Sequence, residues 1–479
     1  MPTYSAPDVY VQEIKVFPPS VAEIETAIPA FIGYTQTAKK DADNDLILKP
    51  TKIYSMTQFE QYFGKTRAVG CDIAITEVDG VKQARVTAPV PPIPGYVFFA
   101  DYLLYDAVKL YFDNGGGKCY IVSVGLQTAP DDDAELELTA LMAGLNAVRL
   151  EDEPTLLVIP EAVKLSYADY DSLCDATLSQ CNLLQDRFAI IDVYEGYRDM
   201  QADVNVGGTE PKKLPTANRD AWQSDVDMLK YGAAYYPWVK TAMNPPFDEA
   251  LVNVTVPGAT AAVALSTLKN SDTANYNAAK AELAKLYLVL PASGAVAGVY
   301  AYTDTNRGVW KAPANIALQR VLEPVVKLDN QLQGELNVTP SGKSINALRA
   351  FTGRGTLVWG ARTLAGNDNE WRYVNVRRFF NTVEESVKKS TYWAVFEPND
   401  ANTWVKVRGM IESYLTQKWR EGALAGATTK DAFFVRCGLG TTMTAQDILE
   451  GRMNVEIGMA VVRPAEFIIL KFSHKMQVS

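Results

Sequence analysis

Thr155-Leu-Leu-Val-Ile159, ended by Pro160, and Phe188-Ala-Ile-Ile-Asp-Val193 are two continuous apolar runs, separated by a helical stretch from Tyr167 to Gln185. A strand that is apolar on both faces suits a parallel sheet covered by helices on both sides. Strand, helix and strand at this spacing predict a right-handed parallel crossover. A helix just upstream places Leu136, Leu141, Leu145 and Val148 on one face. These residues argue for an α/β outer domain, taken here as 21–345.

Toward the N-terminus, the pattern predicts a buried strand over Ala27–Gly33 and a capped helix over Thr57–Phe63. A hairpin over Cys71–Val90 turns at Asp79-Gly80. A helix from Phe98 to Asn114 stops at Gly115-Gly-Gly117, and a strand follows over Cys119–Val124. Toward the C-terminus, Asp220–Lys230 reads as a helix and Ala233–Trp238 as a strand. Thr255–Gly294 is rich in Ala, Asn, Thr and Ser, with one helix near Asn275–Tyr287, and the chain near 239–294 reads as a surface insertion. Beyond it, Val376, Phe379, Phe380, Val383 and Val387 share one helical face. Asp400 can cap a second helix carrying Trp404, Val407, Ile411, Tyr414 and Leu415. Strands are expected over Ala432–Cys437, Met453–Val462 and Glu466–Phe472. Two helices on a small sheet give an α+β C-terminal inner domain, 346–472. Extended arms, 1–20 and 473–479, flank the body.

The N-terminal arm is informative. Val9, Val11 and Glu13 alternate with Tyr10 and Gln12, between Pro7 and Pro18-Pro19. This is a strand without a local partner, and it pairs either with its own domain or with another chain.

Composition excludes several functions. The net charge of −10 and pI near 5.0 argue against nucleic-acid binding, and no apolar run is long enough to span a bilayer. No signal-peptide pattern opens the chain, so assembly in the cytoplasm is expected. The single histidine, His474, stands in the C-terminal arm, which argues against His-dependent catalysis and multi-His metal sites. Five scattered cysteines contain no Cys-x-x-Cys pair, and Cys174 and Cys181 read as buried hydrophobes. Gly115-Gly-Gly-Lys118 fails the phosphate-loop spacing, and Gly353-Arg-Gly355 lacks the third glycine of a dinucleotide site. Asp131–Asp133 lacks a calcium-loop pattern, and Glu397 with Asp400 fits a turn and cap. No catalytic residue, metal or cofactor is expected. Lys406 and Arg420 lie on the polar face of the capped helix, either solvated or facing an acidic partner.

Aromatic residues set beside Arg and Asn mark the last third. The blocks are Gly308-Val-Trp-Lys-Ala-Pro-Ala-Asn315, Trp359-Gly-Ala-Arg-Thr-Leu364, Trp371-Arg-Tyr-Val-Asn-Val-Arg-Arg378 and Phe396-Glu-Pro-Asn-Asp400. Trp419-Arg-Glu-Gly-Ala-Leu424 and Pro464-Ala-Glu-Phe467 follow. With Pro7-Asp-Val-Tyr-Val-Gln-Glu13, these blocks in this order resemble contractile tail sheath proteins. That family covers phage tails, R-type bacteriocins and extracellular contractile injection systems. Residues 239–294 do not share the likeness. The resemblance implies a homopolymer of stacked hexameric rings around an inner tube, with baseplate and tail-terminator or cap proteins as further partners. It implies strand exchange between subunits through Val9, Tyr10, Val11, Gln12 and Glu13 and through Phe467, Ile468, Ile469, Leu470, Lys471 and Phe472. It also implies that Lys406 and Arg420 touch the tube. The competing readings are a nucleotide-binding enzyme and a monomeric binding module.

Overall fold

The computed structural model describes residues 21–88, 101–129, 136–207, 210–222, 225–259, 261–337 and 339–469. Val9 to Glu13, and Leu470, Lys471 and Phe472, lie outside them. The chain forms two compact units. Among the described residues the larger is Glu25–Asn381 with 463–469, and the smaller is Thr382–Val462 with 21–24.

The larger unit is built on a nine-stranded sheet. Its order is Ile316–Ala317, Gly355–Val358, Ile345–Phe351, Gly232–Tyr236, Phe188–Asp192, Leu156–Val158, Pro29–Thr35, Cys119–Leu126 and Thr51–Ile53. The six strands from Ile345–Phe351 to Cys119–Leu126 run parallel, and antiparallel strands close both edges. Leu156 pairs with Phe188 and Val158 with Ile190, so the expected crossover is present. Pro29–Thr35 and Phe188–Asp192 are buried at every position, as strands covered on both faces must be. The helices Leu104–Asp113 and Ser293–Arg307 meet where glycine allows it: a Cβ on Gly294 would lie 2.3 Å from the Ala107 carbonyl oxygen. Among the described residues no helix is long and apolar enough to cross a membrane.

Three expectations change. First, the hairpin strands Val69–Val78 and Val81–Ala88 gain a partner from the segment 239–294, which the sequence reading placed on the surface as an insertion. Phe247–Thr255 pairs parallel with Val69–Val78, and Val263–Ala264 completes a four-stranded sheet. The helices Leu265–Ser271 and Thr273–Leu283 pack with it. The segment 239–294 supplies the neighbour that a two-stranded ribbon needs to be stable in water. Second, the helix expected over Asp220–Lys230 is split. Pro215 starts one at Leu214–Ala221, buried Trp222 ends it, and Asp225 caps a short Val226–Leu229 turn. Third, Ile345–Phe351 and Gly355–Val358 belong to the large sheet, so the compact C-terminal unit begins at Thr382 rather than at 346.

In the smaller unit Asp400 caps the helix Ala401–Arg420, its carboxylate accepting from the Thr403 amide at 3.0 Å. Val407, Met410, Ile411, Tyr414 and Leu415 are buried along that helix. Phe433–Arg436 and Glu456–Met459 form an antiparallel ribbon. Residues 21–24 are tied to this unit: the Ala22 and Ile24 amides donate to Ser390 and Ser386, and Lys418 pairs with Glu23 at 2.7 Å. The strand expected to begin at Glu466 is not formed through Ile469.

Candidate functional site

An open parallel sheet binds ligands outside the carboxyl ends of its strands, where the chain order reverses. Here that point lies between Pro29–Thr35 and Leu156–Val158, and the chain itself fills it. Glu161 follows the second of these strands. Its carboxylate accepts from the Tyr34 amide at 3.0 Å and from the Leu103 and Leu104 amides, both at 3.1 Å. The N-terminus of the helix Leu104–Asp113 would otherwise be an anion seat, and an internal carboxylate occupies it. A Cβ on Gly33 would come within 1.9 Å of Glu161 Oε2, so no space remains. Asp192, at the end of its strand, accepts from the Ser293 amide at 2.9 Å and plugs a second helix start. Burial pushes both carboxyls up to about 7.

The two glycine motifs are structural. Gly115 ends a helix at φ 97°, and Lys118 is held by Glu153 at 2.7 Å and by Glu25. Gly353 and Gly355, both at φ 75°, make a hairpin turn. All five cysteines are buried, and among the described residues no cluster of His, Cys, Asp or Glu could hold a metal.

Four of the quoted blocks instead meet at a cleft of about 710 Å³ in the larger unit. Its lining includes Lys311, Gln333, Arg349, Trp359, Tyr373 and Phe467. Its floor is locked by Arg362, whose guanidinium grips Glu466 through Nε at 2.9 and 3.2 Å and through Nη2 at 2.6 Å. The Tyr373 hydroxyl adds a bond to Glu466 at 3.2 Å. Arg362 is buried, so this charge-assisted fork is strong and geometrically specific. It explains why Glu466 starts no strand: a ribbon edge competes poorly with a desolvated bidentate ion pair. Phe467, Ile468 and Ile469 leave this anchor exposed. Among the described residues Lys311 finds only the Ala312 carbonyl, at 3.4 Å, and burial, with Arg307 nearby, holds its ammonium below the usual lysine range. Arg349 binds the neutral side chains of Asn330 and Gln333, both at 2.8 Å.

In the smaller unit Lys406 and Arg420 are both exposed, and neither is held by an ion pair among the described residues. Fourteen positions apart, they fall on one stripe of the helix, with exposed Ser413 and Gln417 between. The other charges of this helix behave differently: Arg408 pairs with Glu412, and Lys418 is buried between Glu23 and Glu421. The ribbon strands have no second sheet partner among the described residues. Sequence reading named the stripe but missed the cleft. Arg362 and Glu466 stand in two quoted motifs, and the recurrence of Arg and Glu inside aromatic blocks was the signal available.

Residues 366–475 match the family model of the phage tail sheath C-terminal domain. Over 127 residues, the chain is 28% identical to a tail sheath protein of Vibrio phage KVP40, a match spanning 26% of this chain and only 19% of that relative. Two solved structures are similar from end to end. One is the sheath complex of an extracellular contractile injection system, PVC, in the contracted state. It shows 30% identity, 99% of each chain covered and a TM-score of 0.61. The other is the six-fold symmetrised baseplate of the anti-feeding prophage, with 30% identity, 99% of this chain and 100% of that one covered, and a TM-score of 0.59.

Proposed function

This chain belongs to the contractile tail sheath family, and from that premise we propose that it is a structural subunit, not an enzyme, polymerising as stacked hexameric rings around an inner tube. Contraction of the polymer drives the tube through a target envelope. The observation that carries the reading is likeness along the whole chain to a sheath in its contracted state.

The parts have distinct tasks. Val9–Glu13 of one subunit adds a strand to the open ribbon of a neighbour, where main-chain hydrogen bonds give the linkage. Phe467–Phe472 leaves the Glu466 anchor as the second exchange arm. Lys406 and Arg420 face an acidic tube. Baseplate and terminator proteins cap the ends. Assembly takes place in the cytoplasm, and the particle then acts as a phage tail or a released tail-like machine. The filled crevice at Glu161 supports a mechanism without nucleotide, in which contacts built at assembly improve as subunits rotate.

Electron microscopy of the overexpressed chain tests this directly. Tubes are expected from the full chain. A chain lacking Met1–Ile14 is expected to stay monomeric while circular dichroism reports an intact fold. Normal tubes from the truncated chain would overturn arm exchange.

A further inference from the structure

Two surfaces lack partners among the described residues and complement each other. The first is the cleft, which presents aromatic walls at Trp359 and Tyr373. Its two cations, Lys311 and Arg349, have no carboxylate among the described residues. A half-buried cation with only neutral acceptors is poorly compensated, and an incoming anion would correct that. The second is the loop that follows the short helix Tyr392–Ala394. Phe396 projects fully into solvent, and Val395 and Tyr392 beside it are also exposed. The Phe396 backbone is left-handed, with φ 68°, which is uncommon for a bulky residue. The loop is braced from behind: Trp404 Nε1 donates to Asn399 Oδ1 at 2.7 Å, and Asn399 Nδ2 donates to the Arg452 carbonyl at 3.0 Å. The exposed Glu397 next to Phe396 has no cation among the described residues.

We propose that the cleft receives the Tyr392–Asn399 loop of a second copy of this chain, with Phe396 inserted between the aromatic walls and Glu397 paired with Lys311 and Arg349. Charge and shape both favour this occupant: the cleft is cationic and aromatic, and the loop offers an aromatic tip beside an unpaired acid. Both surfaces are preformed, one by the Arg362–Glu466 fork and the other by the Asn399 brace. Their docking therefore gives up little conformational freedom. A knob and a hole at different places on one chain make a heterologous contact, which repeats from copy to copy instead of closing a pair. This deepens the sheath reading and rests on it, because a second copy must be present.

Cysteine cross-linking decides the matter. Phe396→Cys and Gly334→Cys chains are co-expressed, their tubes are purified and a short bismaleimide is added. Gly334 lines the cleft and has open space for a side chain, and the native cysteines are buried. A band of twice the chain mass is expected from mixed tubes and from neither variant alone. Arg349→Glu and Glu397→Lys are each expected to lower tube yield at least tenfold with an unchanged melting temperature, and the double variant to restore it. Tubes that form without the cross-link, or that ignore both charge reversals, overturn the contact while leaving the sheath reading intact. If the unmodified chain forms no tubes at all, the sheath reading fails and the contact with it.

Discussion

Asp106 is a buried acid in the helix Leu104–Asp113, and its Oδ2 has no hydrogen-bond partner among the described residues. Burial raises its carboxyl to about 7, with Lys109 opposing, against an ordinary value of 3.8. The folded protein therefore holds a proton that the unfolded chain has released. The stability this contributes is fully present below about pH 4 and is lost as pH rises through 7. Between pH 6 and pH 8 the native chain is expected to lose about 1.4 kcal/mol more than Asp106→Asn. Urea denaturation at the two pH values measures this, and equal slopes would refute it. Glu161 and Asp192 act in the same direction, so the variant flattens the dependence without abolishing it. None of these roles was legible in the sequence. An acid is identified as buried by the amides around it, and those around Glu161 belong to residues 34, 103 and 104.

At the scale of elements, local signals read well and long-range pairing did not. Asp400 as a cap, Asp79-Gly80 as a turn and the parallel crossover each depend on residues close in sequence. The four-stranded sheet joins Val69–Val78 to Phe247–Thr255 across a separation that no pattern reveals. The missing strand at Glu466 has the same cause, because its competitor is Arg362, far upstream. The ribbon offers a sharp test. Gly458 stands opposite Phe434, and a Cβ there would lie 2.2 Å from the ring. That ring also stacks under Arg436, 4.5 Å from the guanidinium. Gly458→Ala is expected to turn the ring out and weaken the pairing by about 1 kcal/mol, in the range of cross-strand contacts. Hydrogen exchange at Phe433–Arg436 should quicken, while the large sheet stays protected. Unchanged exchange would show that the ring has room to adjust.

For the whole molecule, charge placement matters more than net charge. A chain at −10 leaves Lys406 and Arg420 without an ion pair among the described residues on one helix stripe, while neighbouring charges neutralise one another. Double reversal to Glu is expected to weaken retention of the tube and remove its salt dependence, since exposed pairs are screened by salt. Co-purification with the tube across a salt series measures this, and an unaltered profile would make the stripe a merely solvated face. The mixed α/β character of the chain was legible, because buried runs and amphipathic helices announce themselves; the line between its two compact units was not. The boundary was misplaced by 36 residues, 346 against Thr382, because Ile345–Phe351 looks the same whether it opens a new sheet or joins an old one.

The carboxylate of Glu161 sits where many proteins of related architecture load a phosphate. On the sheath reading the crevice takes no fuel, and the work of contraction comes from contacts laid down when the polymer was built.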